Sequence, residues 1–140
     1  MRLSRISVAV ALVLLLPAGL SAGDLPEAVQ AKFIKLLAAS AGSPGKVACK
    51  DASMAGELGK VGITVSPGSK VAWAASESEV KSLKASGKLV ICGKLAWLPE
   101  GAAIAIVEEG GKPQIYLHMG HVAASGVALS DSVLKIGRRL

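Results

Sequence analysis

Aromatic residues are scarce in this chain, with one Phe, one Tyr and two Trp in 140 residues. Proteins that hold single-stranded nucleic acid stack successive bases on such rings and track the backbone with basic side chains. The basic residues do not cluster either. Lys32, Lys35, Lys46, Lys50, Lys60, Lys70, Lys81, Lys84, Lys88 and Lys94 are spread singly along the chain, whereas a nucleic-acid footprint gathers them on one face. They read as a solvated surface, and no nucleic-acid partner is expected. Long apolar runs are missing beyond the N-terminus, so contact with a membrane is expected only through a partner. Internal repeats and low-complexity tracts are also missing. So are the Gly-x-Ser-x-Gly elbow, the Walker loop and the dinucleotide fingerprint. Ser69 and Ser125 have no neighbouring sequence that would activate them. Glu108 and Glu109 are adjacent at an expected turn and read as a wet, charged tip, not an acid/base pair. The expectation is therefore a protein without enzymatic activity and without a cofactor.

The N-terminus is what the sequence does supply. Arg2 and Arg5 form a positive region, the nine residues Val8 to Leu16 are unbroken apolar, and Pro17 to Ala22 breaks the run and ends in small residues. That is the anatomy of a cleaved secretory signal over residues 1–22. A membrane anchor needs about 20 apolar residues, and this run stops at Pro17. Leu20 is a poor small residue ahead of a cut at Ala22, so cuts after Ser21 or Gly23 also fit, and an uncleaved anchor is the alternative to removal. Residues 23–140 have the length of one compact domain. The chain's charge of +6 includes Arg2 and Arg5, leaving 14 basic against 10 acidic residues, or +4.

Cys49 and Cys92 are the only cysteines. In an oxidising compartment a disulfide between them can persist, but it requires alpha carbons within about 7 Å. Adjacent strands allow that and strands separated by a third do not. The alternative is two buried thiols packed as small apolar groups.

Periodicity places a helix after Asp24 and Pro26, with Val29, Phe33, Leu36 and Leu37 facing the core. Gly42, Ser43, Pro44 and Gly45 break it, Lys46 to Lys50 reads as a short strand carrying Val47 and Cys49, and a second helix spans Met54 to Val61. Weak strands follow at Ile63–Val65 and Val71–Ala74. Ser76 with Glu79 has capping-box spacing and opens a helix that Gly87 terminates, and the strand Lys88–Cys92 comes at once. Strands alternating with helices predict a largely parallel sheet covered on both faces. The runs Ala102–Val107 and Pro113–His118 flank a Gly110-Gly111 turn and predict a β-hairpin. A helical turn at His121–Ser125 and a last helix from Ser130 close the chain, with Arg138 and Arg139 in the final turn where the helix dipole favours cations. The expected fold is a single small α/β domain with a mixed, mostly parallel sheet, helices on both faces and a C-terminal hairpin plus helix.

His118 and His121 form His-x-x-His, a spacing that on one helix can turn two imidazoles toward a metal ion. They are the only metal candidates, and they fall across an expected strand-to-helix corner with no Asp, Glu or Cys close in sequence to complete a site. Trp73 and Trp97 read as packing residues, Trp97 being the one expected to be partly exposed.

The closing segment, Gly110-Gly111-Lys112-Pro113-Gln114-Ile115-Tyr116-Leu117-His118, then Val122-Ala123-Ala124-Ser125-Gly126-Val127-Ala128-Leu129-Ser130 and Val133-Leu134-Lys135-Ile136, resembles the C-terminal signature of the YfiR-like periplasmic proteins. Upstream, Val29-Gln30-Ala31-Lys32-Phe33-Ile34-Lys35 is similar to the family's opening helix, Val47-Ala48-Cys49 to its first strand and Leu89-Val90-Ile91-Cys92 to a later one. Where that family often opens the third strand with a cysteine this chain has Lys70, so the resemblance supplies Cys49 with no partner there. The resemblance implies an exported, non-catalytic protein-binding domain of the periplasm. Its expected role is to regulate an inner-membrane signalling protein of the diguanylate cyclase or sensor kinase class. The alternative expectation is a periplasmic protein that binds a small ligand or a metal.

Overall fold

The computed structural model describes residues 24–140. The expected signal segment over residues 1–22 lies outside the described residues. The chain runs α1 (Glu27–Ser40), β1 (Lys46–Cys49), α2 (Ala52–Lys60), β2 (Thr64–Val65), β3 (Val71–Trp73), α3 (Glu77–Ala85), β4 (Leu89–Cys92), a 3-10 turn (Leu95–Trp97), β5 (Ile104–Glu109), β6 (Lys112–Leu117), α4 (Met119–Ser125), α5 (Asp131–Ile136) and β7 (Arg138–Arg139). The strands form one seven-stranded sheet in the order β2-β1-β3-β4-β5-β6-β7. The first five strands are mutually parallel, β6 turns back antiparallel to β5, and β7 lies parallel to β6. This is the expected α/β fold with a mostly parallel sheet and a late hairpin.

The order reverses once. From β1 the chain moves outward to β2, then returns to the other side of β1 and proceeds through β3, β4 and β5. Parallel crossovers are right-handed almost without exception, so a reversal in direction places the crossover helices on opposite faces. Met54 and Leu58 of α2 pack with Ile34 and Leu37 of α1 and with Val122 of α4 over one face. Val80 and Leu83 of α3 pack with Leu95, Trp97 and Leu98 over the other. Strands covered on both sides read as continuous apolar runs, which is why Leu89-Val90-Ile91-Cys92 is buried at every position. The large side chains Leu89, Ile91, Ile104, Ile106 and Leu117 face α1. The smaller Val90, Cys92, Ala105 and Val107 face α3.

Caps set the helix starts. The Asp51 carboxylate accepts from the Met54 amide at 2.9 Å and begins α2 two residues before Met54. Ser76 Oγ accepts from the Glu79 amide at 3.2 Å, the cap expected from the spacing, while the Glu79 carboxylate accepts from the Ala75 amide at 2.9 Å, one residue before the N-cap amide that a full capping box would bond. Two expectations are corrected. The core side of α1 is Gln30, Ala31, Ile34, Leu37 and Ala38, whereas Val29 and Phe33 are partly buried and Leu36 is 45% exposed. The final helix stops at Ile136, and Arg138 and Arg139 become a strand. Gly137 is extended, with φ −83° and ψ 141°. It lies so close over the sheet that an added Cβ would sit 2.7 Å from Leu117 Cγ. The strand brings Arg138 onto Glu109 at 3.0 Å, and that contact with the β-ladder outweighs the few tenths of a kcal/mol that a cation gains at a helix C-terminus.

Candidate functional site

In open α/β sheets, ligands sit in the crevice outside the carboxyl ends of the strands, at the point where strand order reverses. Here that point lies between β1 and β3. Beyond these strand ends is a cavity of about 280 Å³ lined by Asp24, Glu27, Gln30, Asp51, Trp73 and Trp97 together with Gly93 and Lys94. Each arrives by a local rule. Asp51 follows β1 as the cap of α2, Trp73 ends β3, Gly93 follows β4, and Trp97 is delivered by the 3-10 turn. At the rim, Lys94 Nζ bonds both Asp24 oxygens at 2.9 and 3.0 Å and lies 6.0 Å from the Trp97 ring centre. Glu27 accepts from Ser53 Oγ.

Gln30 closes the inner end. It is only 5% exposed, and its Nε2 donates to the Ile106 carbonyl at a long 3.4 Å. Among the described residues its amide oxygen accepts no hydrogen bond. Gly93 is what lets it sit there, because a Cβ at that position would come within 2.6 Å of Gln30 Nε2 and 3.4 Å of Trp73 Cη2. Sequence reading passed over Gln30, although a signal exists: a glutamine stands at helical spacing with Ile34 and Leu37, inside the buried stripe.

A second cavity of about 260 Å³ lies beside α3, over Ala48, Pro67 and Leu83. Lys88 at its edge is committed to the Pro67 and Ser69 carbonyls at 3.1 and 2.6 Å.

The two cysteines do not meet. β3 separates their strands, and Cys49 registers with Trp73, which registers with Ile91. Cys49 thus shares a face with Ile91, and Cys92, one residue on, points to the opposite face. Both are free thiols, Cys92 buried and Cys49 half-buried, so of the two readings of the sequence the packed thiols hold and the disulfide does not form. Burial pushes each thiol up to about 11, which keeps both protonated and weakly nucleophilic at neutral pH.

His118 and His121 do come together. Their rings stack at 3.7 Å with an interplanar angle of 11°. His118 Nδ1 accepts from the His121 amide at 3.1 Å as the cap of α4, and His121 Nδ1 lies 3.0 Å from the Ala102 carbonyl, which requires that nitrogen to carry the hydrogen. Imidazole lone pairs lie in the ring plane. Two nearly parallel planes 3.7 Å apart cannot both point at one ion at the usual 2.0–2.1 Å. Among the described residues no group of three or more His, Cys, Asp or Glu is placed to hold a metal. The pair acts as a structural corner.

Ser69 and Ser125 are buried and donate to backbone carbonyls, Ser69 across to Lys46 on β1 at 3.1 Å and Ser125 within its own helix to Val122 at 2.6 Å. The expectation of a wet tip at Glu108 and Glu109 is corrected at Glu109. Its carboxylate accepts from Tyr116 Oη at 2.7 Å and from Arg138 at 3.0 Å; Tyr116 registers with Ala105, four residues along β5 from Glu109 and so on the same face, and its long side chain spans the interval. That bond holds the Tyr116 hydroxyl above its ordinary range.

A scan against protein-family models found no match to this chain, and a search of curated proteins found none.

Proposed function

We propose that this chain is an exported, non-catalytic binding domain of the periplasm that regulates an inner-membrane signalling protein, of the diguanylate cyclase or sensor kinase class, by direct contact. The observation that supports it is the row Val29, Phe33 and Leu36 on α1. Val29 and Phe33 are half-buried against the core and Leu36 is exposed, with Lys32 and Lys35 exposed beside them. An apolar row with a charged rim is the composition of a protein-contact patch. The resemblance of the opening helix and closing segment to YfiR-like proteins supplies the class of partner. No helix among the described residues is long and apolar enough to cross a membrane, and the partner provides the membrane connection.

The test is a pull-down from detergent-solubilised membranes with the purified protein and a Leu36→Glu variant as baits. Recovery of an integral-membrane cyclase or kinase by the first and not the second supports the proposal. Recovery of no membrane signalling protein, or equal recovery by both baits, overturns it.

A further inference from the structure

We infer that the crevice between the carboxyl ends of β1 and β3 is a binding site for a small organic cation that also carries a hydrogen-bond donor. The inference is independent of the protein-partner proposal and rests on four features of the cavity. Its place is the strand-order reversal, where the sheet opens and crossover helices leave in opposite directions. Its volume, about 280 Å³, suits a ligand of roughly ten heavy atoms or fewer. Its charged lining is Asp24, Glu27 and Asp51 against Lys94 alone, and Lys94 is already held at the rim by Asp24. Both tryptophans of the chain border it; Trp73 is a buried wall, and the half-buried Trp97 ring already holds the Lys94 ammonium 6.0 Å from its centre, a position suited to cations.

Gln30 turns this from an acidic surface into a site. Its side chain is nearly fully buried, it lines the cavity, and its carbonyl oxygen is unpaired among the described residues. A buried acceptor without a donor carries a desolvation cost that the protein alone leaves uncompensated. A hydroxyl or ammonium hydrogen on the ligand satisfies it. The same site disfavours small anions, because Glu27 and Asp51, hydrogen-bonded to Ser53 and to the Met54 amide but paired with no cation among the described residues, repel them and Lys94 is neutralised by Asp24.

The tryptophans make the test direct, since all indole emission arises at the cavity wall. Choline is the probe, and 3,3-dimethyl-1-butanol, of the same shape and hydroxyl but uncharged, is the control. The purified protein titrated with choline is expected to show a saturable change in tryptophan emission, and to bind the neutral isostere at least about tenfold more weakly. Asp51→Asn removes a carboxylate while keeping a side chain that caps a helix as well as aspartate does, so the fold is retained; choline affinity is expected to fall severalfold. Gln30→Leu keeps the side chain buried and removes the acceptor, with a loss of about tenfold expected. Far-ultraviolet circular dichroism verifies both variants. The inference is overturned if choline gives no saturable change into the millimolar range, if the neutral isostere binds equally, or if well-folded Asp51→Asn and Gln30→Leu variants bind choline as the parent does. A protein that binds choline but recovers no membrane partner, or the reverse, separates this inference from the regulatory one.

Discussion

Alkaline pH should destabilise this domain through Cys92, by an amount set by its burial. The thiol is fully buried on the α3 face, and removal from water is the main cause that moves it from 9.0 to about 11, against the opposing hydrogen bond and charge of Lys94. The unfolded thiol loses its proton near pH 9 while the folded one keeps it until about 11. Across that window the unfolded state binds fewer protons, so unfolding becomes easier as pH rises. The stability contributed by the neutral thiol is fully present below pH 9 and disappears toward pH 11. Two pH units at about 1.4 kcal/mol each give about 3 kcal/mol, a large share of the 5–15 kcal/mol typical of a small domain. Cys49 and Tyr116 shift in the same direction, so the contribution of Cys92 is isolated by difference. Urea unfolding of the parent and of Cys92→Ala, under reducing conditions from pH 8 to 10.5, should show the parent's advantage falling by up to about 1.4 kcal/mol per unit above pH 9. A difference between the two proteins that does not vary with pH refutes the argument.

Reduction should leave the protein's mass unchanged, and both thiols should alkylate slowly until denaturant is added. A gain of two hydrogens on reduction would show that the cysteines had bridged across the sheet. Gly137→Ala adds a methyl group against buried Leu117 at a backbone angle any residue adopts, so its cost is overpacking, about 1–3 kcal/mol. Chemical denaturation measures it, and an unchanged midpoint would mean that the C-terminal strand does not dock there. Ser76→Ala removes the α3 cap and should cost about 1 kcal/mol, whereas Ser76→Gly should cost only a few tenths. Equal losses in the two variants would argue against a role for the hydroxyl.

Much of the fold was legible because it is written in short range. Ser76 and Glu79 announce α3, Gly110-Gly111 announces the hairpin, and the all-apolar run at residues 89–92 announces a strand buried on both sides. The stripe of α1 is shifted from the one that periodicity gives. A count of apolar side chains selects Val29, Phe33, Leu36 and Leu37; packing buries Leu37, leaves Val29 and Phe33 half-buried against the core and Leu36 exposed, and adds Gln30, a polar group admitted because Gly93 leaves it room. The helical end at Arg138 and Arg139 was likewise overruled by Glu109 and Tyr116, more than twenty residues earlier in the chain. Of the candidate site, Trp73 and Trp97 were visible as packing residues but not as neighbours, and Asp51 was not visible at all.

Local sequence by itself determined the alternation of strands and helices, the caps and turns, and the alternating large and small side chains of a sheet covered on both faces, because each depends on residues within a few positions of one another. Tertiary structure decided which strands adjoin, and with that the separation of Cys49 from Cys92 and the gathering of Gln30, Asp51, Trp73 and Trp97 around one cavity. Those outcomes follow from a single reversal of strand order, combined with the right-handedness of parallel crossovers, and no local window of sequence contains that information.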